Sequence, residues 1–419
     1  MIRKLLHVLL LACLALSALA AAVAQDEFTA SPERRAELLT KVRARDKALE
    51  AARAKGPTLI IAQDGQPAAT IVSSAEEKAA GLLQEWVKLM SGATLPIAAA
   101  PAAGVNIYVG QTALDAGLSL ADIKSRSNEG IRVKCDGKNV FIAGQSKNAT
   151  FRAAARFLEE EFGCRYFDCS PVGKVYPEMK TLKVLPREFT EAPAFLYRTI
   201  WGAEGAFGGY QGMTGRGAWR YWVGEGGNGV PMGHSWNILG KGEFAQHPDW
   251  YRMDENGQRV DGPWYNLGNP DMRKRFIQWA LQASANGTKP ISFSPPDDYR
   301  EDFSPEAKKY DNPAIIDQTS GRLSMTDRFL GMANEAAIEM YKLNPDPNIL
   351  SGFYAYSDYT LPPTKPELQK LSPNLCVWIA PIRFTRYHPI GSPNSPSARD
   401  LKEIIDGVLL GLGLVATGP

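Results

Sequence analysis

The sequence has little net charge, and this shortage excludes two classes of partner. The 419 residues hold 47 Lys and Arg against 45 Asp and Glu. Residues 1–24 contain Arg3 and Lys4 but no acid, so the rest of the chain balances at 45 against 45. A neutral surface exerts no long-range attraction on nucleic acid or anionic lipid. We therefore expect neither as a partner.

The chain also lacks the short motifs of common metal, nucleotide and serine-hydrolase sites. None of its five cysteines lies in a CxxC pair, and it contains no HExxH, P-loop or GxSxG motif. The segment 224–229 does match GxGxxG, but Val230 and Pro231 follow where a nucleotide-binding fold would begin a helix. We expect no metal and no cofactor.

No long apolar run follows residue 24, whereas residues 1–24 are almost entirely apolar after Arg3 and Lys4. A basic start, an apolar run and the A-x-A pattern at 22–24 are typical of a signal peptide cleaved before Gln25. An uncleaved membrane anchor and lipoprotein processing at Cys13 are the alternatives. We expect export, to the periplasm or the extracellular space, with no membrane span after cleavage.

Export permits disulfides, but the cysteines predict none with certainty. Without Cys13 the chain retains Cys135, Cys164, Cys169 and Cys376. Cys164 and Cys169 are close enough in sequence to pair locally, and the sequence leaves that pairing open.

What the chain does have is a globular composition, with 44% apolar and 10% aromatic residues, and room for two or three domains. Residues 25–56 predict an N-terminal helix. Residues 57–186 alternate strand-like and helix-like segments, including a hairpin with Asp136 and Gly137 at its turn and a helix that ends at Gly163. This pattern predicts a small α/β accessory domain.

Residues 186–195, with prolines near both ends, predict a linker to a second domain at 187–419. Strands are expected at 231–236, 289–294, 348–357 and 374–381, and helices at 269–285, 324–343 and 398–410. Repeated strand–helix units favour a (β/α)8 barrel. About five of its eight units are visible, so we expect the barrel to be incomplete at the C-terminus.

The sharpest chemical signal is a pair of carboxylates, Asp297 and Asp298, followed by Tyr299, directly after the expected strand at 289–294. Barrel strands carry their active-site residues at their C-terminal ends. Asp358 follows the next expected strand in the same way. Two carboxylates of unequal pKa are what glycoside hydrolysis requires. The alternative is that each Asp belongs to a turn or caps a helix.

Histidines and tryptophans nearby are candidates for holding a sugar. Either His234 or His247 is suited to hydrogen-bond a hydroxyl or adjust a neighbouring acid, and either is equally a structural histidine. Tryptophan rings offer flat faces to sugar rings, or else fill a core. The candidate tryptophans are Trp201, Trp219, Trp222 and Trp236.

Four blocks of the second half resemble the secreted bacterial domain-of-unknown-function 4838 family. They are GHSWNIL, FAQHPDWYRMDENGQRV, YNLGNPDMRKRF and PISFSPPDDY. Asp249 stands where the family usually has Glu, Pro296 stands where it usually has Asn, and the cysteines that often follow the last block are missing. Residues 57–186 resemble the non-catalytic N-terminal domain of family 67 alpha-glucuronidases. Together these resemblances imply a glycoside-hydrolase-like barrel and a polysaccharide-derived substrate.

The sequence thus leads to a functional hypothesis with two rivals. We expect an exported glycosidase with Asp297 and Asp298 as acid/base candidates and Asp358 as the opposing carboxylate. One rival is a carbohydrate-binding protein with the same cleft and no catalysis. The other is a secreted structural or adhesion module whose aromatic loops meet a protein.

Overall fold

A computed structural model describes residues 56–74, 78–167, 169, 173–200, 216–297, 300–317 and 320–382, with isolated positions at 40, 47, 51, 388, 392 and 394. The expected signal peptide, most of the N-terminal helix and the helix at 398–410 lie outside these residues. The described residues between Leu38 and Gly229 form one compact unit, and those from Val230 onward form a second. Both units are mixed α/β.

The first unit is built on a six-stranded sheet. The strands of the unit up to residue 191, inside and outside that sheet, are β1 (Leu59–Gln63), β2 (Gln66–Pro67), β3 (Ala69–Val72), β4 (Ile97–Ala98), β5 (Val105–Val109), β6 (Ile131–Cys135), β7 (Val140–Gly144), β8 (Arg165–Tyr166), β9 (Lys174–Val175), β10 (Leu182–Val184) and β11 (Arg187–Glu191). The sheet order is β11-β6-β7-β5-β3-β4, parallel from β7 to β4 and antiparallel across β6 and β11. β1 pairs separately with β2 and β10. The hairpin predicted around Asp136 and Gly137 is confirmed as β6–β7.

Two amphipathic helices cover this sheet, α1 (Lys78–Ser91) and α3 (Lys147–Phe162), and the short helix α2 (Gln111–Asp115) follows β5. The apolar face of α1 buries Leu83 and Trp86 completely. The Ser146 hydroxyl caps α3 by accepting from the Ala149 amide, and Gly163 ends it in the left-handed region at φ 75°. The helix end expected at Gly163 is thus confirmed.

The linker expected at 186–195 is in part a strand, and that expectation was wrong. Residues Arg187–Glu191 form β11, which pairs with β6 over its whole length. Phe189 packs against the core while its neighbours Glu188 and Thr190 are exposed. This alternation of two is a strand signal, and an edge strand tolerates flanking prolines because one side of its ladder is unpaired.

No disulfide joins the cysteines at 135, 164, 169 and 376, so Cys164 and Cys169 do not pair with each other. Cys164 is fully buried with its thiol 3.5 Å from the sulfur of Met90. Burial raises the pKa of Cys164 to about 12, and a thiol that stays protonated is a poor nucleophile.

We therefore expect iodoacetamide to modify Cys164 of the folded protein at neutral pH at least about tenfold more slowly than the half-exposed Cys169. Peptide mass spectrometry after timed alkylation measures both rates. In guanidinium chloride the two should react alike, which controls for intrinsic differences. Equal rates in the folded protein contradict the buried position.

The short strands β12 (Tyr197–Arg198) and β13 (Gly226–Gly227) and the helix α4 (Arg216–Trp222) complete the first unit.

The second unit combines helices with few strands. The second contains α5 (Glu243–Gln246), α6 (Pro270–Ala283), α7 (Pro305–Lys308), α8 (Thr326–Leu343), β14 (Ser351–Ala355) and β15 (Leu375–Ile379), with single 3-10 turns at Pro248–Trp250, Ser357–Tyr359 and Pro366–Leu368. The helices expected at 269–285 and 324–343 and the last two strands are confirmed.

Three segments of the second unit run in the same direction, and a fourth lies beside them. β14 and β15 are a parallel pair, and Ser292 forms a parallel bridge to Gly352. In the fourth segment, the amide of Ser235 donates to the Ser294 carbonyl at 3.2 Å. A Cβ at Gly352 would lie 2.1 Å from the Pro231 carbonyl oxygen, so only glycine permits this approach. The described residues contain no closed barrel.

The segments at 231–236 and 289–294 were expected to be strands, and neither is one over that length. Serine hydroxyls take the place of part of the backbone ladder. The Tyr354 amide donates to Ser294 Oγ at 2.9 Å, and the Ser235 hydroxyl donates to the Ser292 carbonyl at 2.6 Å. Side chains that bond to backbone compete with regular strand pairing.

No helix of the described residues is long and apolar enough to cross a membrane.

Candidate functional site

The four side-by-side segments bring polar and aromatic side chains to one place. His234 lies on the first segment, Asp297 follows the second, Tyr356 follows β14, and Trp378 lies near the end of β15. Neighbouring parallel segments end at the same edge, so residues at their C-terminal ends meet. From the sequence, we predicted that Asp297 lies at such an edge. We call His234, Asp297, Tyr354, Tyr356 and Trp378 the edge cluster.

Asp297 is the exposed acid of the edge cluster. Its side chain is 69% exposed, and its Oδ1 accepts a hydrogen bond from the Tyr356 hydroxyl at 2.8 Å. The same oxygen lies 3.3 Å from Nε2 of His234, whose side chain is 26% exposed. The carboxylate is therefore held by a neighbour on each side and still open to a ligand.

The hydrogen bond of His234 fixes the position of one ring proton. Nδ1 lies 2.6 Å from the Pro295 carbonyl oxygen, which can only accept, so Nδ1 carries a hydrogen. Nε2 is then the ring nitrogen that faces Asp297, 3.3 Å from its Oδ1.

Asp358 has a different environment from Asp297. Its side chain is fully buried, with Arg322 Nη1 and the Ser320 hydroxyl 3.5 and 3.4 Å from its carboxylate oxygens. Ser357, just before it, has φ 51°, which is unusual for a residue with a side chain. The Arg322 guanidinium thus places a positive charge beside this buried carboxylate.

Tyr359 links the two acids, and sequence reasoning missed it. Its side chain is buried, and its hydroxyl has no hydrogen-bond partner among the described residues. Burial raises the pKa of Tyr359, and the charges of Tyr356, Asp297, Tyr354 and Asp358 raise it further. Both carboxylates therefore act on one buried hydroxyl, which places Asp297 and Asp358 in one neighbourhood.

The aromatic faces of the edge cluster come from tyrosines rather than from the expected tryptophans. Tyr354 and Trp378 are register partners of β14 and β15, with ring centroids 6.3 Å apart. Rings of Tyr354 and Tyr356 each lie 5.5 Å from the His234 ring. Their i, i+2 spacing at the end of a strand is the sequence signal that would have found them.

Three of the expected sugar-binding tryptophans lie in cores instead. Trp236 is 5% exposed, and its indole N–H donates to the Phe293 carbonyl at 2.7 Å. Trp222 is 1% exposed and stacks on Trp86 at 4.4 Å, in the core of the first unit, which also contains Trp219. Burial leaves these rings no face for a sugar, because large apolar rings gain more from packing than from exposure.

The remaining expected site residues separate into two groups. His247 is half-buried and stacks on Trp250 at 4.0 Å, in the turn before Pro248–Trp250. No contact places it in the edge cluster. Trp201, Asp298 and Tyr299 lie outside the described residues. Within the described part of the chain, no group of three metal-ligating side chains is found.

Comparison with known proteins identifies the family of the chain. The family described as "Domain of unknown function (DUF4838)" matches residues 169–407, more than half of the chain. That match includes every residue of the edge cluster. No curated protein sequence matches the chain.

Solved structures similar to this chain include beta-hexosaminidases of Streptomyces plicatus. A mutant in complex with its product GlcNAc is 15% identical, covers 34% of this chain and 25% of its own, and has a TM-score of 0.24. The N-acetyl-beta-hexosaminidase in complex with Thio-NAglucal is 10% identical, covers 71% and 62%, and has a TM-score of 0.33. This chain thus spans less than two thirds of the length of either enzyme.

Proposed function

The chain belongs to the family of the domain of unknown function DUF4838, and we propose that it is an exported glycosidase. In this proposal it hydrolyses O-glycosyl bonds of an oligo- or polysaccharide in the periplasm or outside the cell. The signal-peptide pattern of residues 1–24 supports export. Hydrolysis of this kind needs two carboxyl groups and no cofactor.

The proposal extends to the fold. Three segments that run in one direction beside a fourth, with α6 and α8 between them in sequence, are compatible with part of a (β/α)8 barrel. We propose that residues 187–419 contain such a barrel. We propose residues 57–186 as an accessory domain like that of family 67 alpha-glucuronidases.

One observation carries the proposed activity, namely an exposed carboxylate, Asp297, held between His234 and Tyr356. A general acid must reach the leaving-group oxygen, and the side chain of Asp297 is 69% exposed. The Tyr356 hydroxyl donates to its Oδ1 and so fixes its orientation. Asp297 is thus suited to protonate the glycosidic oxygen and to recover the proton from water later. Asp298, its neighbour in sequence, is a second acid/base candidate.

Asp358 is proposed as the opposing charge. The transition state of glycoside hydrolysis resembles an oxocarbenium ion, which a nearby carboxylate stabilises. The Arg322 guanidinium lies 3.5 Å from the Asp358 carboxylate, and Tyr359 lies within the influence of both acids. Tyr354 and Trp378 would then provide the ring faces of the sugar site.

A panel of aryl glycosides tests this function on the full chain. The panel contains neutral, N-acetylamino and uronide sugars in both anomeric forms, and release of the phenol is followed by absorbance. We expect at least one to be hydrolysed faster than in buffer. Hydrolysis of none, together with none of a set of plant and bacterial polysaccharides, would refute the proposal.

A non-catalytic carbohydrate-binding protein is the second candidate, and the burial of Asp358 favours it. A nucleophile or base must reach the sugar, and the side chain of Asp358 is fully buried. Under this alternative, oligosaccharides bind to the full chain in calorimetry and none is cleaved. The same panel therefore separates the two functions.

A further inference from the structure

A cavity of about 230 Å³ lies within the first unit, and no residue of the edge cluster lines it. It is formed by the first turns of α3, the end of β11 and the residues around β12 and β13. Both charged and apolar side chains line it. Those that matter to the argument are Glu129, Asn148, Arg152, Glu191, Arg198 and Tyr221.

The carboxylates of this cavity already have arginine partners. Glu129 lies 2.5 Å from Arg198, and Glu191 lies 2.6 Å from Arg156. Glu225, a third lining acid, is paired with Arg220. Their negative charges are therefore matched by the protein itself.

Arg152 has no such dedicated partner. Its Nη1 donates to the Trp222 carbonyl, and the nearest carboxylate is Glu159 at 3.5 Å. Glu159 lies closer to Arg156, at 2.7 Å. Nε and Nη2 of Arg152 have no hydrogen-bond partner in the described part of the chain. Burial lowers the pKa of Arg152, because its charge has lost water without a full replacement.

The free edge of Arg152 fits a carboxylate. Nε and Nη2 of a guanidinium lie in one plane and bind two carboxylate oxygens together. The cavity also includes Asn148 and Ala149 in the first turn of the 16-residue helix α3, where the helix dipole favours negative charge. The side-chain amide of Asn148 has no hydrogen-bond partner among the described residues.

The other side chains that line the cavity indicate what kind of molecule carries the ligand's carboxylate. Glu129 and Glu191 keep lone pairs beyond those used by their arginines, and these accept hydrogen bonds from hydroxyl groups. Tyr221 and Ile131 offer apolar surface to a carbon skeleton. The volume is below the 300–1,000 Å³ typical of drug-sized ligands, so it suits one sugar residue rather than a chain.

We propose that this cavity binds the carboxylate-bearing residue of a sugar acid, with Arg152 as the anchor of the carboxylate. The site is separate from the edge cluster and uses none of its residues. It adds the recognition of an acidic sugar to the hydrolysis proposed above. It holds whether or not the chain is an enzyme.

Calorimetry on the full chain tests the proposal with D-galacturonate, D-galactose and inorganic phosphate as probes. We expect galacturonate to bind and galactose to bind at least about tenfold more weakly, because it lacks the charge-assisted hydrogen bonds. Phosphate should not compete with galacturonate at equal concentration. Equal binding of galactose, stronger binding of phosphate, or no binding of galacturonate each overturns the proposal.

Variants assign the binding to this cavity. Arg152→Gln should weaken galacturonate binding by about tenfold or more, and Asn148→Ala, a change on an exposed helix turn, by a smaller factor. Arg126→Gln, at an exposed arginine outside the lining, should leave it unchanged. Unaltered binding in both Arg152→Gln and Asn148→Ala overturns the proposal, and Asn148→Ala still tests it if Arg152→Gln does not fold. Asp297→Asn should bind galacturonate as the wild type does, so loss of hydrolysis and loss of this site are distinguishable.

Discussion

Asp297→Asn is expected to lower the turnover of any aryl glycoside that the protein hydrolyses by about 10²–10⁴-fold, the usual contribution of a general acid. An amide cannot deliver a proton to the leaving-group oxygen as a carboxylic acid does. It does keep the size of the side chain and an oxygen that accepts from Tyr356. The measurement is kcat for the wild type and the variant on the same substrate.

A matched variant controls for the loss of one exposed carboxylate. Asp271, in the first turn of α6, is 67% exposed against 69% for Asp297. Asp271→Asn should therefore leave kcat within about twofold, since an exposed site contributes little beyond its surface charge. Turnover by Asp297→Asn that equals that of Asp271→Asn would remove Asp297 from the mechanism.

Arg328→Met is expected to lower the free energy of unfolding of the second unit by about 3–5 kcal/mol, as removal of one partner of a buried ion pair does. The side chains of Arg328 and Asp311 are 1% and 2% exposed. Arg328 also donates to the Asp302 carbonyl at 3.3 Å. Without the guanidinium, the Asp311 carboxylate stays buried and uncompensated. Urea unfolding at neutral pH measures the loss.

The loss should depend on pH in one direction. Burial raises the pKa of Asp311, and the nearby Arg328 lowers it in part. A raised pKa means that the folded state holds the proton to a higher pH than the unfolded state does. The contribution of Asp311 to the free energy of unfolding therefore falls as the pH rises from its unfolded-state pKa through its folded-state pKa. Because Arg328→Met raises the pKa of Asp311 further, the variant should lose less stability at about pH 4 than at about pH 7.

An exposed pair on the same unit provides the comparison. Lys274 and Asp271 lie 3.0 Å apart with side chains 73% and 67% exposed. Lys274→Met should change the free energy of unfolding by less than about 1 kcal/mol, because water screens such pairs. If Arg328→Met costs no more than Lys274→Met, the buried pair does not stabilise the unit.

Local patterns were enough for most of the helices and for the hairpin. α3 has a serine cap, an apolar face and a glycine end, and these signals depend only on neighbouring residues. The strand β11 was missed because prolines near its ends outweighed an alternation that was present at Phe189. Expected strands at 231–236 and 289–294 failed since serine hydroxyls replace part of the ladder there, which apolar periodicity does not report.

The sequence by itself determined that an acid, Asp297, follows an apolar segment and that His234 and Asp358 are candidates beside it. Only the tertiary structure decided which partners they have. A histidine tautomer depends on a carbonyl 61 residues away, and the burial of Asp358 depends on Arg322 and Ser320 from another segment. Whether each tryptophan is buried or exposed was also decided by the tertiary structure, because burial depends on how segments pack rather than on residue type. Composition cannot distinguish a ring that fills a core from one that faces a sugar.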